Sequence, residues 1–143
     1  MRYIGVACDH AGYELKKIII EFLSANSLSV RDFGAHDGKC SHYPVYAKKV
    51  AEFVNGNSNN MGILVCGTGI GMSIVANRFL NVRAVSCHSN YEAKISRKHM
   101  DANIICLGAR TTTPELAREY VNVFLDTSYE DGRHKKRVDQ INP

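Results

Sequence analysis

The sequence contains no apolar stretch that approaches the roughly 20 residues of a membrane span. Its first residues, MRYIGVACDH, hold too short an apolar run for a signal peptide, and Asp9 interrupts that run. The net charge of +4 is far from the dense basic stripe of a nucleic-acid-binding protein. We therefore expect a soluble, cytoplasmic protein with neither a membrane nor a nucleic-acid partner.

Cysteine pairs and metal-ligand patterns are absent as well. The five cysteines are odd in number and form no C-x-x-C pair, so neither a disulfide framework nor a zinc ribbon is indicated. Cys8, Cys87 and Cys106 lie in or beside apolar runs, where a reduced cysteine packs like a small hydrophobic residue. No two histidines are four residues apart and no carboxylates cluster, so no metal site is expected.

What the chain does contain is a regular alternation of short apolar runs with helical patterns. The predicted strands cover residues 3–8, 28–33, 62–65, 82–87 and 103–107. After the first strand, apolar residues recur at helical spacing from Leu15 to Leu23, and this spacing places Lys16 and Lys17 on the solvent face. Ser89 and Thr113 have the character of helix N-caps. With 143 residues, the chain is predicted to be a single α/β domain with a mostly parallel five-stranded sheet.

The stretch MGILVCGTGIGMSIVAN, residues 61–77, is the first candidate for chemistry. A buried strand ends at Cys66, a glycine-rich loop from Gly67 to Gly71 follows, and a helix begins. Glycines let backbone N–H groups approach a ligand, and a helix start favours negative charge. A thiol beside that positive end is a candidate for a reactive thiolate.

Several interpretations of this loop compete. Its spacing is G-x-G-x-G after the third strand and no acidic residue ends the next strand, which disfavours dinucleotide binding. A P-loop is excluded because no G-K-[ST] follows. A tight turn with a buried cysteine and an oxyanion site beside Cys66 both remain, and spacing alone does not decide between them.

The C-terminal segment GRHKKR gives a second candidate site. If Arg133 and Arg137 share a helix, they are neighbours at i, i+4 whose like charges repel. An anion between the two guanidinium groups, most naturally a phosphate, would relieve that repulsion. A solvated basic tail is the alternative, and Arg110 and His10 at other strand ends favour the phosphate.

The sequence resembles the ribose-5-phosphate isomerase type B family, which includes galactose-6-phosphate and allose-6-phosphate isomerases. Five segments carry the resemblance in order along the chain: CDHAG at residues 8–12, YP at 43–44, ILVCGTGIG at 63–71, SRKH at 96–99 and GRHKKR at 132–137. The resemblance implies a three-layer, Rossmann-like α/β domain in which the sheet is flanked by helices. It also implies interconversion of ribose 5-phosphate and ribulose 5-phosphate through a cis-enediolate, with no cofactor and no metal.

The same resemblance implies roles for individual residues. Cys66 corresponds to the base, His99 to the group that opens the furanose ring, and Asp9 to the residue that moves a proton between O1 and O2. The remaining residues of the implied site are Thr68, the anion hole formed by Gly67, Gly69, Ile70 and Gly71, the substrate-lining Tyr43, and the phosphate contacts His10, Arg110, Arg133, His134 and Arg137.

The resemblance further implies a homodimer with shared active sites, in which the C-terminal segment 129–143 of one chain reaches the neighbouring subunit. Whether two such dimers pair into a tetramer is left open. Met100 departs from the family, which usually has an asparagine there that contacts a sugar hydroxyl. Because methionine cannot donate that hydrogen bond, a six-carbon sugar phosphate is an alternative substrate. A binding module that has lost the reaction is the rival from another class.

Overall fold

A computed structural model describes all residues, 1–143, and contains one five-stranded, fully parallel sheet. Along the sheet the strands are ordered β2-β1-β3-β5-β4. Their bounds are β1 Ile4–Cys8, β2 Val30–Asp32, β3 Met61–Cys66, β4 Ala84–Ser86 and β5 Ile104–Gly108. The α/β fold predicted from the alternating pattern is therefore confirmed.

Six helices connect or follow the strands. They are α1 Tyr13–Ala25, α2 Tyr43–Asn55, α3 Ile70–Ala76, α4 Asn90–Met100, α5 Pro114–Asp126 and α6 Lys135–Val138. Short 3-10 turns at His10–Gly12 and Gly132–His134 precede α1 and α6. None of these helices is long and apolar enough to cross a membrane.

The sheet lies between two layers of helices. Helices α1, α4 and α5 cover one face, where Ile19, Val65 and Phe124 belong to the same buried cluster. Helices α2 and α3 cover the other face, where Val50 and Met72 pack on the inner strands. The central strands β1, β3 and β5 are buried on both faces, which explains why they are nearly continuous apolar runs.

The predicted second and fourth strands were too long, because their first residues form local turns in the structure. The N–H of Leu28 donates to Leu23 O, so this residue belongs to the C-terminal turn of α1 and not to β2. The N–H of Val82 likewise donates to Phe79 O before β4 begins. Both strands lie at an edge of the sheet, where pairing on one side alone gives short ladders.

Lys16 is the residue whose predicted position was wrong. Its side chain is only 2% exposed, and its Nζ donates to both carboxylate oxygens of Asp32, at 2.8 and 3.0 Å, and to Ala35 O, at 2.6 Å. Three acceptors match the three N–H donors of an ammonium group, which allows the charge to be buried. Lys16 thereby ties α1 to the start of the loop between β2 and α2.

Helix caps agree with the sequence patterns, with one change of partner. The Thr113 hydroxyl accepts from Leu116 N, and the Ser89 hydroxyl accepts from Glu92 N. The Glu92 carboxylate, however, accepts from His88 N and not from the N–H of the cap residue itself. In a capping box, the glutamate would accept from the N–H of the cap residue, Ser89; here it accepts from the residue before it.

The order of the strands fixes where a ligand can bind. From β1 the chain winds to β2 on one side and later to β3 on the other, so the winding direction reverses between β1 and β3. In open parallel sheets the crevice at the carboxyl ends of such strands binds ligands. Asp9 and Cys66 lie at this crevice, whereas β4 with its following residues lies at the far edge.

Candidate active site

The loop between β3 and α3 is built around the Cys66 thiol. Cys66 is the last residue of β3 and is 5% exposed. The N–H of Gly69 donates to Cys66 Sγ at 3.0 Å, and Gly69 makes this contact with a left-handed φ of +79°. A side chain is disfavoured at such a φ, so glycine is needed to turn this N–H back to the sulfur.

The same loop presents further donors beside the thiol. The N–H groups of Gly67 and Thr68 have no hydrogen-bond acceptor within the chain, while the N–H of Ile70 donates to Thr68 Oγ1 at 3.3 Å. Unpaired N–H groups next to a nucleophile are suited to stabilising negative charge on a substrate oxygen. The oxyanion interpretation of the loop thus gains support over the simple turn.

Asp9 lies across the crevice, in the turn after β1. The residue is buried, and its Oδ1 accepts from Ala11 N at 2.9 Å and from Gly12 N at 3.1 Å. Its Oδ2 makes no hydrogen bond within the chain. One oxygen thus fixes the orientation of the carboxylate, and the other is available to carry a proton.

Arg110 and Tyr43 border the loop from neighbouring elements. The Arg110 guanidinium lies against Gly67, since a Cβ on that glycine would be 2.8 Å from Nη1. The Tyr43 ring covers Gly71 in the same way, with a hypothetical Cβ 2.7 Å from the ring. Both side chains therefore need glycine beneath them to reach the crevice.

These residues enclose a small cleft of about 180 Å³, lined by Asp9, Tyr43, Cys66, Gly67, Thr68, Gly71 and Arg110. Pockets for small molecules usually have about 300–1,000 Å³. The cleft of a single chain is smaller than this, and it opens to solvent on one side. A larger cavity of about 740 Å³ lies at the opposite end of the sheet, but it is lined mainly by asparagines and by arginines, two of which pair with Asp101, and contains no cysteine or histidine.

His10 is exposed beside the cleft and is held by a contact that the sequence did not indicate. Its Nδ1 lies 3.1 Å from Ser41 O and 3.2 Å from Ser41 N. The contact joins the turn after β1 to the loop before α2, so Ser41 helps to orient His10. No motif marks Ser41, and its pairing depends on the folded path of residues 33–42.

His99 does not lie near Cys66. Helix α4 starts beyond the carboxyl end of β4 and returns antiparallel to the strands, so its last turn lies where the strands begin. We call this end of the sheet the amino edge, and the end with Asp9 and Cys66 the carboxyl edge. The Arg83 side chain, just before β4, donates to Asp101 O at 2.8 Å, which fixes this position. Within one chain, His99 and Cys66 are therefore at opposite ends of the sheet.

The C-terminal segment joins His99 at that edge. The imidazole rings of His99 and His134 stack with centroids 3.9 Å apart and planes inclined by 16°. Arg133 and Arg137 are exposed next to the pair. Arg133 lies in the 3-10 turn and Arg137 in α6, so the two arginines are not on one continuous α-helix as the sequence had suggested.

Charged groups around the stack determine its protonation. Burial, together with the neighbouring His99 and the Arg133 guanidinium, lowers the pKa of His134. A hydrogen bond from Lys98 lowers the pKa of Glu130, whose Oε2 is 3.1 Å from Lys98 Nζ. His134 is therefore neutral at neutral pH, and Glu130 is ionised.

The predicted site residues thus form two groups. Those at the carboxyl edge are Asp9, His10, Tyr43, Cys66, Gly67, Thr68, Gly69, Ile70, Gly71 and Arg110, and those at the amino edge are His99, Arg133, His134 and Arg137. The first group has a thiol, a carboxylate and unpaired N–H groups. The second has an imidazole pair and two arginines. Within one chain, the predicted site residues are therefore divided between the two ends of the sheet.

Comparisons with known proteins found a matching family model and similar relatives. Residues 4–141 match the family model described as Ribose/Galactose Isomerase. The chain is 43% identical over 141 residues to ribose-5-phosphate isomerase B of Escherichia coli, covering 99% of this chain and 95% of that protein.

Solved structures are similar as well. The fold matches ribose 5-phosphate isomerase of Thermotoga maritima with a TM-score of 0.95 at 41% identity, covering 98% of this chain and 97% of that one. It also matches ribose-5-phosphate isomerase B of Mycoplasma genitalium with bound ribulose-5-phosphate, with a TM-score of 0.96 at 39% identity, covering 98% and 93%.

Proposed function

The chain belongs to the ribose/galactose isomerase family, and from this we propose that it interconverts ribose 5-phosphate and ribulose 5-phosphate. The observation that carries the proposal is the Cys66 thiol with its Gly69 N–H contact of 3.0 Å, beside the unpaired N–H groups of Gly67 and Thr68. Proton abstraction next to a carbonyl requires a base and donors for the developing enolate oxygen. The loop supplies both.

The reaction passes through a cis-enediolate. In the open-chain aldose, the Cys66 thiolate takes the proton from C2, and the electron pair moves through C1 onto the C1 oxygen. The N–H groups of Gly67 and Thr68 stabilise that charge. The Cys66 thiol then returns its proton to C1, while Asp9 carries the hydroxyl proton of O2 to O1 through its free Oδ2. The C2 carbonyl of the ketose results.

Ring opening precedes this step and is assigned to His99. Ribose 5-phosphate closes between O4 and C1, so opening breaks the C1–O4 bond, protonates O4 and removes the proton of O1. An imidazole is a suitable donor near neutral pH. His99, however, is at the amino edge of its own chain, so the His99 that serves a given Cys66 must come from another chain.

A homodimer provides that second chain. The amino-edge group of one subunit, with His99, Arg133 and Arg137, completes the cleft at Cys66 of the other, and the arginines join His10 and Arg110 on the phosphate. The C-terminal segment 129–143 accordingly reaches the neighbouring subunit. The small volume of the single-chain cleft, about 180 Å³, supports this assembly.

An exposed apolar face adjoining the cleft supports the same assembly. Ile70 and Ile74, one helical turn apart on α3, are 54% and 57% exposed. Large aliphatic side chains grouped next to a functional loop are typical of an interface. A second copy of the chain that covers α3 would bury them and at the same time close the cleft.

A six-carbon sugar phosphate is the second candidate substrate, and Met100 is the observation that favours it. Met100 is exposed next to His99 and offers the substrate no hydrogen-bond donor. Turnover of ribose 5-phosphate, galactose 6-phosphate and allose 6-phosphate, compared in one assay, separates the two. The largest kcat/KM for a hexose phosphate would replace the pentose assignment.

The decisive test of the mechanism is Cys66→Ala. We expect isomerisation of ribose 5-phosphate to fall at least about 1,000-fold because the base is lost, while the dissociation constant of ribulose 5-phosphate changes little. Cys40→Ala, at an exposed cysteine outside the cleft, is the matched control and should keep full activity. Normal turnover by Cys66→Ala would refute the base assignment, and binding without turnover by the wild-type protein would indicate a non-catalytic module.

A further inference from the structure

His134 is placed differently from the two arginines beside it. Arg133 and Arg137 are exposed, whereas His134 is 5% exposed and lies with its ring flat against His99. Its Nε2 faces Arg133 Nε at 3.5 Å and Glu130 Oε1 at 3.8 Å. The side chain is thus turned into its own subunit, while a ligand of a shared phosphate would have to point outwards.

The segment that carries His134 is fastened to the helix turn that carries His99. The N–H of Glu130 donates to Lys98 O at 2.9 Å, and Lys98 Nζ pairs with the Glu130 carboxylate at 3.1 Å. The N–H of His134 donates to Asp131 O at 3.0 Å, which closes the turn between them. The backbone segments that carry the two rings are therefore joined to each other, which keeps the rings in contact.

The charges that face the stack keep it asymmetric. Lys98 on α4, and Arg133 and Arg137 on the C-terminal segment, are cations, and Glu130 is the one anion. Two imidazolium rings at 3.9 Å would repel each other strongly. The buried His134 is held neutral, which avoids that repulsion, and His99 is the more exposed of the two rings.

We propose that His134 is a positioning residue, whose ring stacks on His99 and fixes the direction in which the His99 imidazole delivers a proton to the furanose O4. The inference deepens the proposed function and depends on it, since His99 opens the ring there. It also reassigns His134, which the sequence had suggested as a phosphate contact. A general acid that is free to rotate loses part of its contribution, which is typically about 100- to 10,000-fold in rate.

The chemistry of the two sugars allows this role to be measured separately. Ribose 5-phosphate closes to a furanose and needs ring opening, whereas ribulose 5-phosphate cannot close through O5, because that oxygen carries the phosphate. In D2O, deuterium exchange at C1 of ribulose 5-phosphate therefore reports proton transfer at Cys66 without ring opening. The forward rate from ribose 5-phosphate reports both steps.

The experiment compares His134→Ala, His134→Phe and His99→Ala in the full-length protein. We expect His134→Ala to lower kcat from ribose 5-phosphate about 10-fold, and deuterium exchange into ribulose 5-phosphate less than about 2-fold. His134→Phe keeps a flat ring against His99 and should recover most of the forward rate. Lys136→Ala, which removes an exposed charge from the same segment, is the control and should leave both rates unchanged.

Three outcomes would overturn the inference. Equal losses in both reactions, or a raised KM for both sugars, would indicate a structural or phosphate-binding role for His134. A phenylalanine variant no better than the alanine variant would show that stacking is not what matters. Full forward activity of His99→Ala would remove the role of His99 and this inference with it, while absence of isomerisation in the wild-type protein would refute the proposed function itself.

Discussion

Mixing two inactive variants, Cys66→Ala and His99→Ala, tests directly whether active sites are shared between subunits. The two side chains lie at opposite ends of the sheet in one chain. If each site takes its thiol from one subunit and its imidazole from the other, a mixed dimer has one site with both groups intact and one site with neither. Each variant alone has only damaged sites.

The expected recovery follows from this geometry. When equal amounts are unfolded together and refolded, random pairing makes half of the dimers mixed, and half of the sites in those dimers are intact. The mixture should therefore show about a quarter of the wild-type activity per chain. The measurement is the rate of ribulose 5-phosphate formation, with each variant refolded alone as the baseline.

A matched control uses two residues of the same cleft. Asp9 and Cys66 both line the carboxyl-edge site, so in a mixture of Asp9→Ala with Cys66→Ala every site carries one defect. That mixture should stay at the baseline. No recovery in the first mixture, or equal recovery in both, would refute the shared arrangement.

Three further predictions concern the cleft and the core. Gly71→Ala should raise KM several-fold in steady-state assays, because its Cβ would lie 2.7 Å from the Tyr43 ring and would push the ring from its place over the cleft. An unchanged KM would show that Tyr43 does not line the substrate. Lys16→Met should lower the free energy of unfolding by about 2 kcal/mol in urea titrations, because it leaves Asp32 and Ala35 O without their buried donor, and an unshifted midpoint would contradict this. Burial raises the pKa of the Cys8 thiol from 9.0 to about 11. The unfolded thiol thus loses its proton first, so the contribution of Cys8 to stability is retained below pH 9 and falls by about 1.4 kcal/mol per pH unit from pH 9 to 11. The buried Cys87 and Cys106 thiols, whose pKa values are raised as well, add to the slope over this range, so Cys8→Ala should reduce the measured slope by that amount without abolishing it.

The fold could be predicted because each strand and helix carries its own local pattern. The buried strand that ends at Cys66 and the cap at Thr113 are visible in a few residues, and alternation of such elements implies a parallel sheet. The family could be predicted because its motifs are short and ordered along the chain, and the comparisons confirm it. The roles assigned to individual site residues stay predictions.

Pairings between distant segments were not predictable in the same way. Helical periodicity placed Lys16 in solvent because it takes account only of residues on the same helix. The partner of Lys16 is Asp32, which lies on an edge strand and comes close to Lys16 only in the folded chain. The motifs grouped His99 with Cys66 because both belong to one family pattern, although helix direction separates them. His10 and Ser41 are 31 residues apart and meet only through the path of the loop.

The hydrogen bond from Gly69 N to Cys66 Sγ, in a residue only 5% exposed, has a consequence for chemical labelling. Cys40 is the one exposed thiol, so a bulky aromatic disulfide should react with a single thiol per chain and leave turnover intact. A small haloacetamide should enter the cleft and alkylate Cys66, which inactivates the protein. This reaction should be slower than the labelling of Cys40, and ribulose 5-phosphate should protect against it. The order of the two modifications makes the protein suitable for attaching a probe at Cys40 while the thiol in the cleft stays free.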